Sequence, residues 1–398
     1  MTLTVVGIGA DGWAGLGETA RDALAAAPLV VGSERQLELL PAQVTGTRRA
    51  WPSPMQPLVD ELAAGTHGDA AVLASGDPML HGVGATLVRE AGADDVHVIP
   101  HPSAFALACA RLGWAQADVE LVSAVARPPE VVVRALQGGR RIVAYVTGTD
   151  GAARLARVLS DRGFGASALT VLEQLGGPQE RRVDTTAQQA TEHTADPLHV
   201  VAIEVAGGPS HGRTPGLPDD AFASDGQLTK RHVRAITVAA LAPLPGELLW
   251  DVGAGNGSIA VEWLRAERSA RAIAVEPRED RAARIGDNAL MLGVPELQVV
   301  CGRAPDALHD LPAPDAIFIG GGITTLGLLD GCWAALRPGG RLVANTVTLE
   351  GEQVVVAAQK AHGGTLTRID IAHADPVGSF TAWRAQMSVV QWSVTKEI

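Results

Sequence analysis

The stretch Leu248-Leu249-Trp250-Asp251-Val252-Gly253-Ala254-Gly255-Asn256-Gly257 decides the fold of the second half of the chain. An apolar run ends in three glycines spaced Gly-x-Gly-x-Gly, and a helix-forming segment, 258–264, follows directly. Glycine is needed where the backbone passes within contact distance of a ligand or takes φ angles that a Cβ would penalise. The stretch therefore predicts a strand, a ligand-binding turn and a helix, as in a domain that binds a nucleoside-type cofactor.

The residues around this turn indicate which cofactor it binds. Ser258 stands where the dinucleotide pattern Gly-x-Gly-x-x-Gly requires its last glycine, so a pyrophosphate is disfavoured. Asp251 suits a cationic amino-acid tail, which favours S-adenosylmethionine. Glu276 follows the next predicted strand, 271–275, where a carboxylate can accept hydrogen bonds from both ribose hydroxyls.

Glycine-rich turns also follow the later strands of this half. Cys301-Gly302-Arg303-Ala304-Pro305 can face an adenine ring, Gly320-Gly321-Gly322 lies opposite the cofactor, and Arg337-Pro338-Gly339-Gly340 leads into a fifth strand. In this order the turns resemble those of the class I, Rossmann-like methyltransferases, over residues 226–398. The resemblance implies cofactor contacts at Gly253, Ala254, Gly255, Asn256, Gly257, Glu276 and Ala304.

The first half carries a different set of turns. Gly7-Ile8-Gly9-Ala10-Asp11-Gly12 matches Gly-x-Gly-x-x-Gly, and by itself it leaves an NAD site open. Ser75-Gly76-Asp77-Pro78, Pro100-His101-Pro102-Ser103 and Tyr145 accompany it, each near the end of a predicted strand. Together these resemble the tetrapyrrole methylases, whose class III fold has two α/β lobes with S-adenosylmethionine in the cleft. The resemblance implies cofactor contacts at Gly9, Gly76, Asp77, Pro78, Ser103 and Tyr145.

The composition predicts a globular protein of two domains. The chain has 398 residues, of which 46% are hydrophobic, and this is enough for two packed cores. Residues 207–220 are half glycine or proline and lack hydrophobic periodicity, so we expect neither helix nor strand there. We therefore predict a tetrapyrrole methylase domain at 1–206, a linker at 207–225 and a class I methyltransferase domain at 226–398.

Short β-branched runs alternate with stretches of helical period in both halves, which is typical of α/β domains with mainly parallel sheets. The strands predicted in the first half are 3–8, 29–31, 70–74, 96–99, 120–123, 141–146, 168–172 and 198–204. Those predicted in the second half are 247–252, 271–275, 297–301, 316–319, 341–346, 365–371 and 386–393. Helices are predicted between them, for example at 85–91, 103–112 and 152–162.

The order of the two domains narrows the family. A tetrapyrrole methylase followed by a class I methyltransferase resembles the bifunctional, decarboxylating methyltransferases of cobalamin biosynthesis along nearly the whole chain. The stretches 32–37 and 228–234 add to this resemblance, and the second implies a cofactor contact at Thr229. The resemblance further implies one S-adenosylmethionine per domain and self-association. Its expected activity is methylation of a tetrapyrrole at carbons 5 and 15, with loss of carbon dioxide from the acetate on ring C.

Methyl transfer from a sulfonium requires alignment rather than a nucleophilic side chain, and the sequence assigns no catalytic residue. The implied substrate carries many carboxylates, which an acidic protein holds through a local cluster of basic groups. Lys230, Arg231, His232 and Arg234 form such a cluster in the sequence, and we predict substrate contacts at Arg231 and Arg234. For the decarboxylation, His232 and Glu262 are both candidate proton donors, and the sequence does not choose between them.

One segment departs from the pattern of the resembled family. Ser123-Ala124-Val125-Ala126-Arg127 stands where members commonly have Ser-x-His-Gly-Arg. A His-Gly pair is thus replaced by Val125-Ala126, and this replacement can alter a substrate contact in the first domain.

Charge and spacing argue against other partners. The chain has 32 basic and 44 acidic residues, a net charge of −12, which repels nucleic-acid backbones and anionic membranes. No apolar run approaches the roughly 18 residues of a bilayer span, the first residues lack the basic start of a signal peptide, and the base-methylating motif Asn/Asp-Pro-Pro-Tyr/Phe is absent at 320–322. We expect a cytoplasmic protein without nucleic-acid or membrane partners. The alternatives are a methyltransferase for RNA or protein with an N-terminal interaction domain, and an NAD-dependent oxidoreductase.

The sequence predicts no metal site. Cys109, Cys301 and Cys332 lack the spacing of metal ligands. His97 and His101 are four residues apart, but the prolines at 100 and 102 prevent the helix that would bring them onto one face.

Overall fold

The computed structural model describes residues 3–397. Contacts divide the chain into two compact units, the first made of residues up to Pro129 with Gln137–Pro209, the second of Glu130–Leu136 with the residues from Ser210 onward. Within the segment predicted as a linker, Leu217 and Phe222 are buried in the core of the second unit. A turn of 3₁₀ helix, Asp219–Ala221, lies between them.

A five-stranded parallel sheet with the order β3-β2-β4-β1-β5 forms the first lobe of the first unit. Its strands are β1 (Leu3–Ile8), β2 (Leu29–Gly32), β3 (Thr47–Ala50), β4 (Ala70–Ser75) and β5 (Val96–Ile99). Its helices are α1 (Gly12–Gly15), α2 (Glu18–Ala26), α3 (Glu34–Glu38), α4 (Gln56–Ala63) and α5 (Val83–Ala91). Helix α6 (Ala104–Leu112) follows β5 and packs on the sheet of the second lobe. Because successive side chains of a strand point to opposite faces, Val5 and Val6 enter different cores, one on each side of the sheet.

The second lobe of the first unit contains a mixed sheet with the order β6-β7-β10-β8-β9. Its elements are β6 (Val119–Ser123), β7 (Arg141–Tyr145), α7 (Gly151–Asp161), β8 (Ala168–Glu173), β9 (Arg181–Thr186) and β10 (His199–Glu204). The pair β6–β7 is parallel, whereas the other three pairs are antiparallel. The expectation of mainly parallel sheets is therefore wrong for this lobe, because the short connection 174–180 turns directly from β8 into β9 without a crossover helix.

The second unit contains a seven-stranded sheet with the order β13-β12-β11-β14-β15-β19-β16, and a separate hairpin, β17–β18. The strands are β11 (Leu248–Val252), β12 (Arg271–Glu276), β13 (Gln298–Cys301), β14 (Ala316–Ile319), β15 (Arg341–Thr346), β16 (Thr365–Ile369), β17 (Ala372–Val377), β18 (Phe380–Ala385) and β19 (Val389–Thr395). The helices are α8 (Arg231–Leu241), α9 (Ser258–Ala266), α10 (Glu279–Met291), α11 (Leu328–Ala335) and α12 (Leu349–His362). The first five strands in sheet order are parallel, and β19 is antiparallel to both of its neighbours. The order reverses between β11 and β14, so the crevice at their carboxyl ends is the place where such sheets bind ligands.

Four strands lie outside the predicted set for a common reason. Strand β3, strand β9 and the hairpin β17–β18 have mostly exposed or half-exposed side chains. They therefore lack the alternation of apolar residues that marks a strand packed on a core. No helix within residues 3–397 has both the length and the apolar character needed to cross a membrane.

Candidate active sites

The glycine turn after β11 has a backbone conformation that favours glycine at three positions. Gly253, Gly255 and Gly257 have φ of 69°, 60° and 78°, in the left-handed region that favours glycine. A Cβ on Gly253 would lie 2.9 Å from the backbone N and O of Gly321, which follows β14. The turn therefore closes against the next strand end, and its bare backbone lines the crevice at the strand-order reversal.

Glu276 ends β12 beside this turn. Its side chain is 3% exposed, and it accepts hydrogen bonds from the backbone N–H of Gly255 at 2.8 Å and of Arg278 at 3.2 Å. These two bonds fix the orientation of the carboxylate, and each oxygen keeps a further lone pair for a ligand hydroxyl. The position fits the expected ribose contact.

Asp251 lies behind the turn rather than in the open crevice. One carboxylate oxygen accepts a hydrogen bond from the backbone N–H of Ala260 in the first turn of α9 at 3.0 Å, while the other, Oδ1, is buried with no partner among the described residues. Burial, aided by the negative charge of Glu276, raises the pKa of Asp251 to about 7. An unpartnered acidic oxygen beneath the turn favours a cationic ligand above it, and this fits the positive charge of S-adenosylmethionine.

The side chain of Asn256 is committed to the structure. Its amide donates to the carbonyl of Gln227 at 2.6 Å and to Asp225 at 3.2 Å, and its oxygen accepts from Arg284 at 2.9 Å. These bonds tie the glycine turn to the segment before α8. The side-chain amide of Asn256 is therefore already hydrogen-bonded within the protein, so a contact of this residue with the cofactor would come from its backbone.

Thr229 and Ala304 complete the predicted cofactor set of the second unit. Both are half-buried. The carbonyl of Thr229 accepts a hydrogen bond from Arg234 at 2.6 Å, which holds the entry to α8 in place. Ala304 packs against the core on one face of the sheet, directly after the end of β13.

Arg234 is inside the second unit, and this corrects its expected role as a substrate contact. Its side chain is 0% exposed. It donates to Glu262 at 2.6 Å, to Asp219 at 3.1 Å and to the carbonyls of Thr229 and Leu217. A guanidinium with these partners stabilises the segment before α8 and presents no donor to a substrate.

The other members of the basic cluster lie differently. Arg231 is exposed, with its Nε bonded to the carbonyl of Gly216 at 2.9 Å. His232 is also exposed, and its ring lies 5.4 Å from that of His373. Glu262 is 2% exposed and accepts from Arg234 and from the backbone of Gly216, so of the two candidate proton donors only His232 reaches the surface.

In the first unit, three strand ends meet at glycines. A Cβ on Gly7 would lie 2.3 Å from the carbonyl oxygen of Gly76, and a Cβ on Gly9 would lie 2.8 Å from Nε2 of His101. The ends of β1, β4 and β5 are therefore in contact, and only glycine permits this approach. The turns that the sequence singled out form one continuous edge.

The remaining predicted residues of the first unit lie at the same edge. Asp77 accepts from the backbone N–H of Met79 at 2.9 Å, and Pro78 after it is buried. The Ser103 hydroxyl caps α6, and the Tyr145 hydroxyl accepts from the backbone N–H of Phe105 at 3.0 Å. Tyr145 also hydrogen-bonds to Ser103, while burial raises the pKa of the Tyr145 phenol. Tyr145 thus joins the second lobe to the turn after β5.

The replaced pair, Val125-Ala126, follows β6. Ala126 has a φ of 55°, in the left-handed region, and Val125 is 44% exposed. A backbone conformation that favours glycine explains why a family pattern would place Gly at position 126. At position 125, the family pattern has a histidine, whereas this chain has the exposed apolar side chain of Val125.

His373 and Gln386 lie beside His232 on the hairpin β17–β18 and its exit, and sequence reasoning did not select them. Their positions in the sequence are remote from the glycine turns, and no motif marks them. Within residues 3–397, no group of three or more His, Cys, Asp or Glu side chains could hold a metal ion.

Comparisons with known proteins agree with this arrangement. The family Tetrapyrrole (Corrin/Porphyrin) Methylases matches residues 2–191, and the family Precorrin methyltransferase domain matches residues 220–396. The predicted fold class, a tetrapyrrole methylase followed by a Rossmann-like methyltransferase, is confirmed.

Three relatives are informative. A Sinorhizobium protein named precorrin-6Y C(5,15)-methyltransferase (decarboxylating) is 48% identical over 99% of this chain and 96% of its own length. A Pyrobaculum calidifontis protein, named probable cobalt-precorrin-6B C(15)-methyltransferase (decarboxylating), is 34% identical over 43% of this chain and 91% of its own length. A Salmonella typhimurium protein, named cobalt-precorrin-7 C(5)-methyltransferase, is 32% identical over 45% of this chain and 88% of its own length. Since the first similarity runs through both units, the chain belongs to the precorrin-6Y C(5,15)-methyltransferase (decarboxylating) family.

Proposed function

We propose that this S-adenosylmethionine-dependent methyltransferase methylates precorrin-6Y at carbons 5 and 15 and removes carbon dioxide from the acetate on ring C, giving precorrin-8X. The observation that carries the proposal is the 48% identity to a full-length relative with this printed activity, over 99% of the chain. Each unit would bind one S-adenosylmethionine.

The two reactions divide between the units in this proposal. The first unit would methylate carbon 5, and the second would methylate carbon 15 and release carbon dioxide. Two relatives support the division, because each aligns with less than half of this chain and is named for one of the two reactions.

In each unit the chain would act mainly by alignment. The donor supplies a methyl group on a sulfonium, which is already a strong electrophile. In the second unit, the backbone of Gly253–Gly257 would hold the donor, Glu276 would accept from its ribose, and Asp251 would favour its positive charge. In the first unit, the edge formed by Gly9, Gly76, Asp77, Pro78, Ser103 and Tyr145 would do the same. Alignment of two reactants is worth up to roughly 7–11 kcal/mol in favourable cases.

The alternative activities have less support. A methyltransferase for RNA would be expected to carry a basic groove, whereas this chain has a net charge of −12. An oxidoreductase would bind NADH. Equilibrium titration separates these readings: two S-adenosylmethionine sites per chain support the proposal, and NADH binding without S-adenosylmethionine binding contradicts it. Self-association and a cytoplasmic location stay predictions.

Mass spectrometry tests the reaction itself. Precorrin-6Y is incubated with the full chain and methyl-labelled S-adenosylmethionine. The expected product has gained two labelled methyl groups and lost one carbon dioxide. A product without label that retains its acetate would contradict the proposal.

A further inference from the structure

The hairpin β17–β18 lies at the edge of the sheet where the second unit would bind its donor. It connects β16 to β19, whose adjoining residues Ile369 and Val389 are paired. Val390, next along β19, pairs with Thr346 at the carboxyl end of β15. Strand β15 is parallel to β14, and β14 to β11. The hairpin therefore rises from the same edge as Gly253 and Glu276, but from the opposite side of the crevice.

The start of α8 packs against the base of this hairpin. Val233 forms a small buried cluster with Ile369 and Val389, and Ile371 packs against it. This contact fixes the residues just before Val233, namely Lys230, Arg231 and His232, next to the hairpin. Basic residues that are consecutive in the sequence thereby face residues more than a hundred positions away.

A cavity of about 370 Å³ lies between these elements. Its lining includes Asp219, Lys230, Arg231, His232, His373 and Gln386. The rings of His232 and His373 are 5.4 Å apart with 37° between their planes. The cavity has the volume of a small-molecule subsite and is too small for a whole tetrapyrrole.

The lining is positive although the chain as a whole is acidic. Lys230 and Arg231 supply two cations, the two imidazoles supply N–H donors, and Gln386 supplies an amide. The acidic member of the lining, Asp219, is already paired with the buried Arg234 at 3.1 Å. An anion entering the cavity would therefore meet hydrogen-bond donors of Lys230, Arg231 and the two imidazoles that are not used by the contacts described for these side chains.

We propose that this cavity binds a carboxylate side chain, an acetate or propionate arm, of the tetrapyrrole on which the second unit acts. The inference rests on the proposed function for its substrate class. Charge-assisted hydrogen bonds from Arg231, Lys230 and the imidazoles hold the carboxylate. The macrocycle then extends from the cavity along the sheet edge toward the glycine turn. His373 on the hairpin and Gln386 after it, which both line the cavity, thus help to determine which tetrapyrrole the second unit accepts.

Nuclear magnetic resonance of the histidine rings tests the site without relying on activity. The full chain with labelled histidine is titrated with uroporphyrin I, a stable tetrapyrrole with acetate and propionate arms. The variants His232→Gln and His373→Gln assign the two ring signals. We expect saturable shifts of both signals in the parent chain. In Arg231→Gln, the affinity obtained from these shifts should be at least tenfold weaker. Unmoved signals, or equal shifts with inorganic phosphate at the same concentration, would overturn the proposal.

Kinetics with precorrin-6Y give a second readout. The double variant Arg231→Gln, His373→Gln should raise the KM for the tetrapyrrole in carbon dioxide release at least tenfold and leave the KM for S-adenosylmethionine unchanged. The matched control Lys360→Gln, His309→Gln removes a cation and an imidazole outside the cavity and should change neither constant. An unchanged tetrapyrrole KM in the first double variant contradicts the inference. If the parent chain releases no carbon dioxide, the proposed function fails, and the resonance titration alone decides the carboxylate site.

Discussion

The carboxylate of Glu276 accepts a hydrogen bond from the backbone N–H of Gly255 at 2.8 Å, which joins the end of β12 to the glycine turn after β11. One side chain thus holds the turn and faces the position expected for a ribose. Both functions depend on an acceptor, but only the ionised carboxylate accepts strongly from several donors at once.

Replacing Glu276 by Gln should therefore weaken donor binding in the second unit more than it weakens folding. The amide oxygen can still accept from Gly255, whereas a charged acceptor for the ribose is lost. We expect a ten- to hundredfold weaker site, or about 1.5–3 kcal/mol. Calorimetric titration should show one of the two S-adenosylmethionine sites that we propose weakened. The exposed Glu279→Gln in α10 is the control, and equal affinities in both variants would contradict the role of Glu276.

The substitution Gly253→Ala should be strongly unfavourable. Its φ is 69°, and the new Cβ would lie 2.9 Å from the backbone of Gly321. We expect a loss of at least about 1–3 kcal/mol in the free energy of unfolding. Gly286→Ala is the matched control, because Gly286 lies within α10 and a Cβ there meets nothing within 4 Å. That variant should gain up to about 1 kcal/mol. Urea denaturation measures both, and equal changes would count against the close approach of the two strand ends.

Arg234→Ala should destabilise the chain, whereas Arg231→Ala should not. Removing Arg234 leaves the carboxylate of Glu262 buried without its ion-pair partner, which costs about 3–5 kcal/mol. Arg231 is exposed, and surface substitutions usually change stability by less than about 0.5 kcal/mol. Chemical denaturation of both variants tests this, and an unchanged stability of Arg234→Ala would show that the buried network is not formed.

Asp251 should make the chain less stable as the pH rises. Its folded-state pKa, about 7, lies above the ordinary value of 3.8. Its contribution to stability is therefore fully present below pH 3.8 and is lost as the pH rises to about 7, because the unfolded state ionises first. The variant Asp251→Asn does not ionise, and its stability relative to the parent should rise by about 2–3 kcal/mol between pH 5 and pH 8. Urea denaturation at both pH values measures this, and a constant difference would refute the raised pKa.

Ala126→Gly should stabilise the first unit. Ala126 has a φ of 55°, where a Cβ costs roughly 1–2 kcal/mol. The gain should be about 1 kcal/mol after the greater freedom of glycine in the unfolded chain is counted. Thermal unfolding measures the effect. A lower melting temperature in the glycine variant would show that Ala126 carries no strain.

Sequence reasoning succeeded where one residue type has a single physical reason to be present. Gly253, Gly255 and Gly257 were selected because a turn of that spacing needs left-handed backbone, and all three have it. The core strands, such as β1 and β11, were found because most of their buried side chains are apolar, with Asp251 the exception in β11. The fused order of the two domains followed from the two sets of glycine turns.

Sequence reasoning failed where a residue's role depends on partners that are distant in the chain. Arg234 was assigned to the substrate because its neighbours in sequence are basic, but Glu262 and Asp219 draw it inside. The sequence did not reveal that the side chain of Asn256, within the cofactor motif, is bonded to Gln227 and Arg284, and the predicted cofactor contact of this residue stays a prediction. The hairpin that carries His373 has no apolar pattern to reveal it.

The sequence by itself determined the glycine turns and the apolar strands of the two domains, because glycine and buried apolar residues act through local backbone and solvent. The order of the domains and the family followed from the resemblance that these turns carry. The tertiary structure alone decided which charged groups are buried and which face a ligand. It placed Arg234 in the core and brought Arg231 and His232 to the cavity that His373 lines. The physical reason is that the environment of a charge is set by neighbours from anywhere in the chain, and only the folded chain brings those neighbours together.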